Sequence, residues 1–412
     1  MASVGNCRHC TFGVESRYPG KRVLTHSSHT DAMVARLLLV ISGSMILTPA
    51  LSWAQTAPLT VPVPQQNVSQ LLRQGRESMR RGDWVAALAV YQQVAGLSPS
   101  DGAVFAAIGY IHTQQRNWPA ALEAYQRAVT LSPENTNFLN ALALVQAELG
   151  EYLEASHNYH RSLRLDARQV TAYLGLAATQ ERLGNPQASL ATLGRGLVLN
   201  PKSVALHEAL GRVWLKTNQP ERALDTLTRA AQLAPRNTTI QRLLALSWAL
   251  KGETPKAKQL LLNALALNPQ DAEIYFQLAR LQETTGDLPG AIRTYELAAQ
   301  LQPTRAYTTL GQLYMQAENW EQAIQAYRQV IQLEPELAVA HHQLGLALYR
   351  QKRNLEAESV LLTARSLYQR QENATGLSQV EQLLNQVQPA GKSKNKPSKP
   401  RESPEPLPYD EY

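Results

Sequence analysis

Few residues in this chain are typed and spaced for chemistry, and its histidines are the first candidates. His157 and His160 lie three apart, a spacing that sets two imidazoles on one face of a helix and could offer a pair of metal ligands. Nothing acidic or histidine-rich is fixed opposite them, so two exposed histidines are expected. His341 and His342 are adjacent and point apart on a helix, which weakens a shared role. The two cysteines, Cys7 and Cys10, flank His9. A structural zinc needs four ligands, and a second pair is missing. The sequence holds no phosphate-cradling glycine loop, no H-E-x-x-H and no G-x-S-x-G, the motifs of nucleotide, zinc-protease and serine-hydrolase chemistry. Asn237-Thr238-Thr239 matches a glycan acceptor, but it falls at a junction between repeated segments, which accounts for it. The expectation is a non-enzyme: no catalytic residue, metal, cofactor or small-molecule substrate.

Composition narrows the class. Apolar residues make up 44% of the 412, which suits a folded protein. The formal net charge is +7, but residues 1–54 hold five Lys or Arg against two Asp or Glu, leaving 35 against 31 in the rest. So mild an excess argues against a nucleic-acid surface, which clusters its cations.

The elements that would position any site announce themselves by a period. Pro99, Pro133, Ala167, Pro201, Pro235, Pro269 and Pro303 close Leu-x-Pro or Leu-x-Ala triplets 34 residues apart, and Pro335 follows after 32. A period in this range means stacked copies of one supersecondary unit. In residues 102–135, Val104, Ala107, Ile108 and Ile111 fall at helical spacing, Arg116-Asn117 break the run, and Trp118 opens a second helix that Pro133 closes. Small residues recur in the first helix (Gly75, Gly109, Ala143, Ala177, Gly211, Ala245, Ala279, Gly311, Gly345). The second helix repeats a small residue followed four later by Tyr or Leu, from Ala87 and Tyr91 to Ala357 and Leu361. Gly82, Gly150, Gly184, Gly252 and Gly286 suit the left-handed position between the helices. Trp84, Trp118, Tyr152 and Trp320 open second helices and read as packing residues.

This pattern resembles the tetratricopeptide repeat family, whose units carry a small residue in the first helix, Ala, Tyr or Phe and Ala in the second, and a closing Pro. The resemblance implies an all-α, right-handed superhelical solenoid of helix–turn–helix repeats with a C-terminal capping helix. Nine repeats are expected over 68–371. The fourth departs by following Ala167 and carrying Gly196, and the eighth lacks two residues after Pro303, which should shorten its first helix. Leu377, Val380, Leu383, Leu384 and Val387 give the stripe of a capping helix over 372–388, because a stack must cover its last apolar face.

The flanks read as processing and tail segments. Arg36, the apolar run Leu37–Leu47, and Ser52 and Ala54 form a secretory signal. The true start is expected at Met33, with cleavage after Ala54 to leave Gln55 first and an exported, periplasmic chain. The mature chain is not expected to span a membrane, since eleven apolar residues are too few. Residues 55–67 read as a Pro-rich linker, and 389–412 as a charged tail, disordered by composition.

Function is then expected on the concave surface, which the resemblance lines with positions 2, 5, 9, 12 and 13 of each first helix. Carried onto this sequence, the partner-binding candidates are the cations Arg76, Arg80, Arg182, Arg212, Lys216 and Arg242. In the later repeats they are Arg280, Arg305 and Arg350, with Leu72, Tyr110, Phe276 and Tyr349 as apolar contacts. Such a surface suits an extended peptide or a partner helix. The Lys and Asn pair with which chaperone-binding members clamp a carboxylate is absent: the matching pairs read Leu72/Arg76, Ala106/Tyr110 and Asn140/Leu144. The expectation is a scaffold for a protein or peptide partner, without nucleic acid, in the assembly of an envelope or membrane complex. The alternatives are an accessory subunit of a glycan- or peptidoglycan-modifying complex, or a cytoplasmic adaptor if the signal is unused.

Overall fold

The computed structural model describes residues 65–387, and every regular element among them is an α-helix. The signal region 1–54, its cleavage point at Ala54 and Gln55, Cys7, Cys10 and the tail 389–412 lie outside the described residues. The helices form two compact units. In residues 65–269 they are α1 (Gln65–Arg80), α2 (Trp84–Leu97), α3 (Gly102–Gln114), α4 (Trp118–Leu131), α5 (Thr136–Glu148) and α6 (Tyr152–Leu165). They continue with α7 (Val170–Arg182), α8 (Pro186–Leu199), α9 (Val204–Lys216), α10 (Pro220–Leu233), α11 (Thr238–Leu250) and α12 (Thr254–Leu267). Residues 270–387 hold α13 (Ala272–Thr284), α14 (Leu288–Ala299), α15 (Pro303–Gln316), α16 (Trp320–Leu333), α17 (Ala338–Arg350), α18 (Asn354–Arg370) and α19 (Ala374–Val387). Within each unit, odd helices pack on the even helix that follows, and each even helix meets the next odd one. The fold is all-α, a solenoid of helix–turn–helix pairs.

Helices of 13 or 14 residues are marginal alone, and here they are held by interlocking small and large side chains. Ala87, Ala121, Ala155, Ala223 and Ala257 on second helices are fully buried, and so are Ala291, Ala323 and Ala357. The Tyr or Leu four residues on drives into the small residue of its own first helix. A Cβ added at Gly109 would stand 2.9 Å from the Tyr125 ring, and one at Gly211 would stand 2.5 Å from Leu227. Each such buried Tyr or Leu contributes about 1.5–3 kcal/mol.

One turn design joins the helices of a pair. Gly82 takes φ +74°, its N–H donates to Met79 O at 3.1 Å, and the Asp83 N–H reaches back to Ser78 O at 2.9 Å. That double bond satisfies the last carbonyls of α1. The Asp83 carboxylate then caps α2, accepting from the Ala86 N–H at 3.0 Å. Gly150, Gly184, Gly252 and Gly286 hold the same left-handed position. Arg116, Asn218, Glu318 and Lys352 hold it too, at φ between +54° and +64°, where a Cβ is unfavourable. Arg116→Gly is therefore expected to stabilise the 65–269 unit by about 0.5–1 kcal/mol. A thermal midpoint that stays level or falls would contradict this.

The departures from the period have local causes. Gly196 replaces the usual Ala because Tyr173 occupies the space, 2.9 Å from where a Cβ would lie. Where Ala167 stands for Pro, the Asp166 carboxylate accepts from the Arg168 N–H at 2.9 Å and closes the turn itself. The deletion at Pro303 does not shorten the first helix, contrary to expectation: α15 has 14 residues, against 13 in α13 and α17. Instead α14 stops after 12 residues, and Pro303 itself opens α15. Proline lacks the N–H that a first helical turn leaves unpaired, so the helix can begin there. Pro335, by contrast, stays in the turn ahead of α17.

Candidate partner-binding surface

The residues with chemical potential are placed where they do none together. His157 and His160 are exposed on α6. Burial, then Arg195, Arg164 and His157, lower the His160 pKa. His341 sets its Nε2 against Pro335 O at 2.9 Å, whereas His342 lies edge-on to Tyr368 with ring centres 6.2 Å apart. Asn237 caps α11, its side chain accepting from the Ile240 N–H at 3.2 Å. Among the described residues, no three His, Cys, Asp or Glu side chains gather to hold a metal, and no helix is long and apolar enough to cross a membrane.

In the 65–269 unit α5 touches α7, α7 touches α9 and α9 touches α11. First helices therefore approach one another and form an inner row, the geometry of a concave surface. Leu72 is half-buried against the core beneath it. Arg76 and Arg182 are exposed. Arg80 is exposed too, 3.4 Å from Glu77. Arg212 donates to Glu208 at 2.5 Å, and Glu208 is only 3% exposed. Lys216 reaches one repeat back to Glu181 at 2.6 Å. Arg242 is half-buried on α11.

In residues 270–387 the Arg305 guanidinium lies 3.9 Å over the Phe276 ring while its fork engages Glu273. Glu283 accepts from the Tyr295 hydroxyl. Burial, followed by that acceptor, raises the Tyr295 pKa and keeps it a donor. Arg280 and Arg350 are exposed, and Tyr349 is half-buried beside the core.

Two of the anticipated aromatic contacts lie mostly beneath the surface. Tyr110 is 7% exposed under Trp84, with ring centres 6.1 Å apart, and Phe276 is 3% exposed between Tyr295 and Arg305. They shape the surface from beneath, since a ring of that size packs against its neighbours before it meets solvent. The cations also sort into two sets. Arg80, Arg212, Lys216 and Arg305 are held by acids. Arg76, Arg182, Arg280 and Arg350 take part in none of the ion pairs among the described residues. The signal for the engaged set lay in the spacing: Glu181 to Lys216 and Glu273 to Arg305 are each about one period apart.

His342 gives this surface a pH signature. Burial holds its pKa below the ordinary 6.5. Below that pH the unfolded chain takes up a proton that the folded chain refuses, so stability present above it is lost on acidification. Relative to His342→Phe, which keeps a ring against Tyr368, the native chain should lose stability as the pH falls through about 6.5 and below. Parallel denaturation profiles for the two chains would contradict the placement.

Family models place these helix pairs. One described as "Tetratricopeptide repeat" matches residues 72–136, 140–203 and 179–238, a second so described matches 249–313, and one described as "TPR repeat" matches 311–352. The matches together span well over half of the chain. The chain belongs to the tetratricopeptide repeat family. Among solved structures it is similar to a tetratricopeptide repeat protein from Parabacteroides merdae: 17% identity over 60% of this chain and 98% of that one, TM-score 0.49. YrrB, described as a TPR protein with an unusual peptide-binding site, aligns at 17% identity over 45% of this chain and 94% of its own, TM-score 0.35. Yeast Tom70 aligns at 12% identity over 78% and 96%, TM-score 0.40. No curated protein matches the chain.

Proposed function

We propose that this tetratricopeptide repeat protein is a non-enzymatic scaffold that docks a peptide or protein partner on the inner row of its first helices. In this reading nine repeats fill 68–371, and the chain is exported to the periplasm or an equivalent compartment, where it serves the assembly of an envelope or membrane complex. The observation that carries the docking is the set of exposed arginines without an acidic partner, Arg182, Arg280 and Arg350, beside half-buried Leu174, Leu346 and Tyr349. Export is supported by the run Leu37–Leu47 behind Arg36, with Ser52 and Ala54 ahead of the cut.

The test is capture from the organism's own envelope fraction by the mature chain, alongside N-terminal sequencing of the native protein. A chain that starts at Gln55 and retains a discrete partner, lost on Arg182→Glu with Arg280→Glu, supports the reading. Retention of residues 33–54, or capture indifferent to both substitutions, overturns it.

A further inference from the structure

The 270–387 unit leaves one face ready for an occupant of definite chemistry. Met315 on α15 and Leu346 and Tyr349 on α17 are half-buried apolar side chains packed against the core, at the first-helix positions that the family resemblance assigns to the concave surface. Arg280 and Arg350 are exposed there, with none of the ion pairs among the described residues engaging them. Glu273 and Glu283, the acids of the same face, are already held by Arg305 and Tyr295. The face therefore presents apolar side chains beside two exposed arginines that stand outside those ion pairs, and it fits an extended acidic segment with apolar anchors.

The chain carries such a segment beyond α19. Residues 402–411 read Glu-Ser-Pro-Glu-Pro-Leu-Pro-Tyr-Asp-Glu, with four acids, no Lys or Arg, and Leu407 and Tyr409 as anchors. Prolines at 404, 406 and 408 favour an extended backbone that loses little freedom on docking. Twenty residues separate Val387 from Leu407, roughly 60 Å of extended chain at ~3.1 Å per residue. Neighbouring helix axes lie about 10 Å apart, so the segment reaches any first helix of this unit. The intervening stretch holds Lys392, Lys394, Lys396, Lys399 and Arg401 and no acid, so the acids of the tail are confined to its far end.

We propose that residues 402–411 bind the inner face of their own 270–387 unit through Arg280, Arg350, Met315, Leu346 and Tyr349. The segment acts there as a built-in competitor for the partner. The tether supplies an effective concentration on the order of millimolar, so even a weak contact keeps the face occupied until a tighter partner displaces it. It follows that the partner of this unit is itself an acidic, extended chain with aliphatic or aromatic anchors. This inference rests on reading the inner row as a binding surface.

The test uses the full chain and a labelled peptide of residues 402–411. The native chain should bind the peptide weakly. A full chain carrying Glu405→Lys, Asp410→Lys and Glu411→Lys should bind it at least tenfold tighter, because its own segment no longer competes. Adding Arg280→Glu and Arg350→Glu to that chain should remove the gain. Equal affinity for the native and tail-substituted chains, or binding to neither, overturns the proposal. So does self-association of the native chain that the tail substitutions abolish, since the segment would then occupy a second copy. If envelope capture still depends on Arg280 while the peptide binds nothing, the tail inference fails and the scaffold reading stands. If both fail, the inner row is not a binding surface.

Discussion

Gly175→Val is expected to destabilise the 65–269 unit by about 3 kcal/mol or more. Valine in place of glycine ordinarily improves a helix interior slightly, so the sign here depends on packing. A Cβ added to Gly175 would fall within the ring of Tyr159, against its Cζ and hydroxyl. The ring cannot swing aside: Tyr159 is 2% exposed and enclosed by Ala143, Ala155, Ala172 and Leu176. Tyr159 also pins two repeats at once, lying against Ala143 of its own first helix and Gly175 of the next. In a stack where each unit leans on its neighbours, damage at that point spreads along the unit. Urea unfolding followed by helical circular dichroism measures the loss. Tyr159→Leu should rescue part of the Gly175→Val defect, so the double variant should be less destabilised than the sum of the singles. Strict additivity would mean that the two side chains do not compete for one space.

The second large effect concerns binding. Arg182→Glu in the 65–269 unit, and separately Arg280→Glu in the 270–387 unit, is expected to weaken a partner captured by that unit about tenfold or more. A charge-assisted hydrogen bond contributes about 1.5–3 kcal/mol, and each 1.4 kcal/mol is about tenfold in affinity. Lys216→Glu should do less to affinity, because Lys216 already spends its charge on Glu181 at 2.6 Å. Titration of partner binding at two salt concentrations separates the cases: the affinity lost on reversing unpaired arginines should shrink as salt screens the native contact. An equal loss from Lys216→Glu would contradict the division between paired and unpaired cations.

These effects show which parts of the molecule could be read in advance. The 34-residue period, the small residues that receive Tyr125 or Leu227, and the left-handed glycines are local rules repeated many times, so sequence alone displays them. Pro303 misleads because a deletion in sequence has no fixed place in structure. The chain absorbed it where a helix can start at proline, lengthening α15 and clipping α14. The burial of Tyr110 and Phe276 was hidden for another reason. Their register faces the inner row, but register fixes direction and not exposure, and Trp84, Tyr295 and Arg305 cover them. The pairing of Lys216 and Arg305 was legible only by comparing charges one period apart, a contact that no single repeat contains.

The central claim is that partners meet the inner row of first helices. Photo-crosslinking residues placed singly at 182, 280 and 350 test it against the same residue placed at 85, 153 and 355. Val85, Leu153 and Leu355 open second helices and are 77%, 70% and 78% exposed, so they sample an apolar surface just as open to solvent. Illumination in the native envelope should give discrete adducts from 182 in the 65–269 unit and from 280 and 350 in the 270–387 unit, and none from 85, 153 and 355. Adducts from the second-helix positions, with the inner positions silent, would contradict the account.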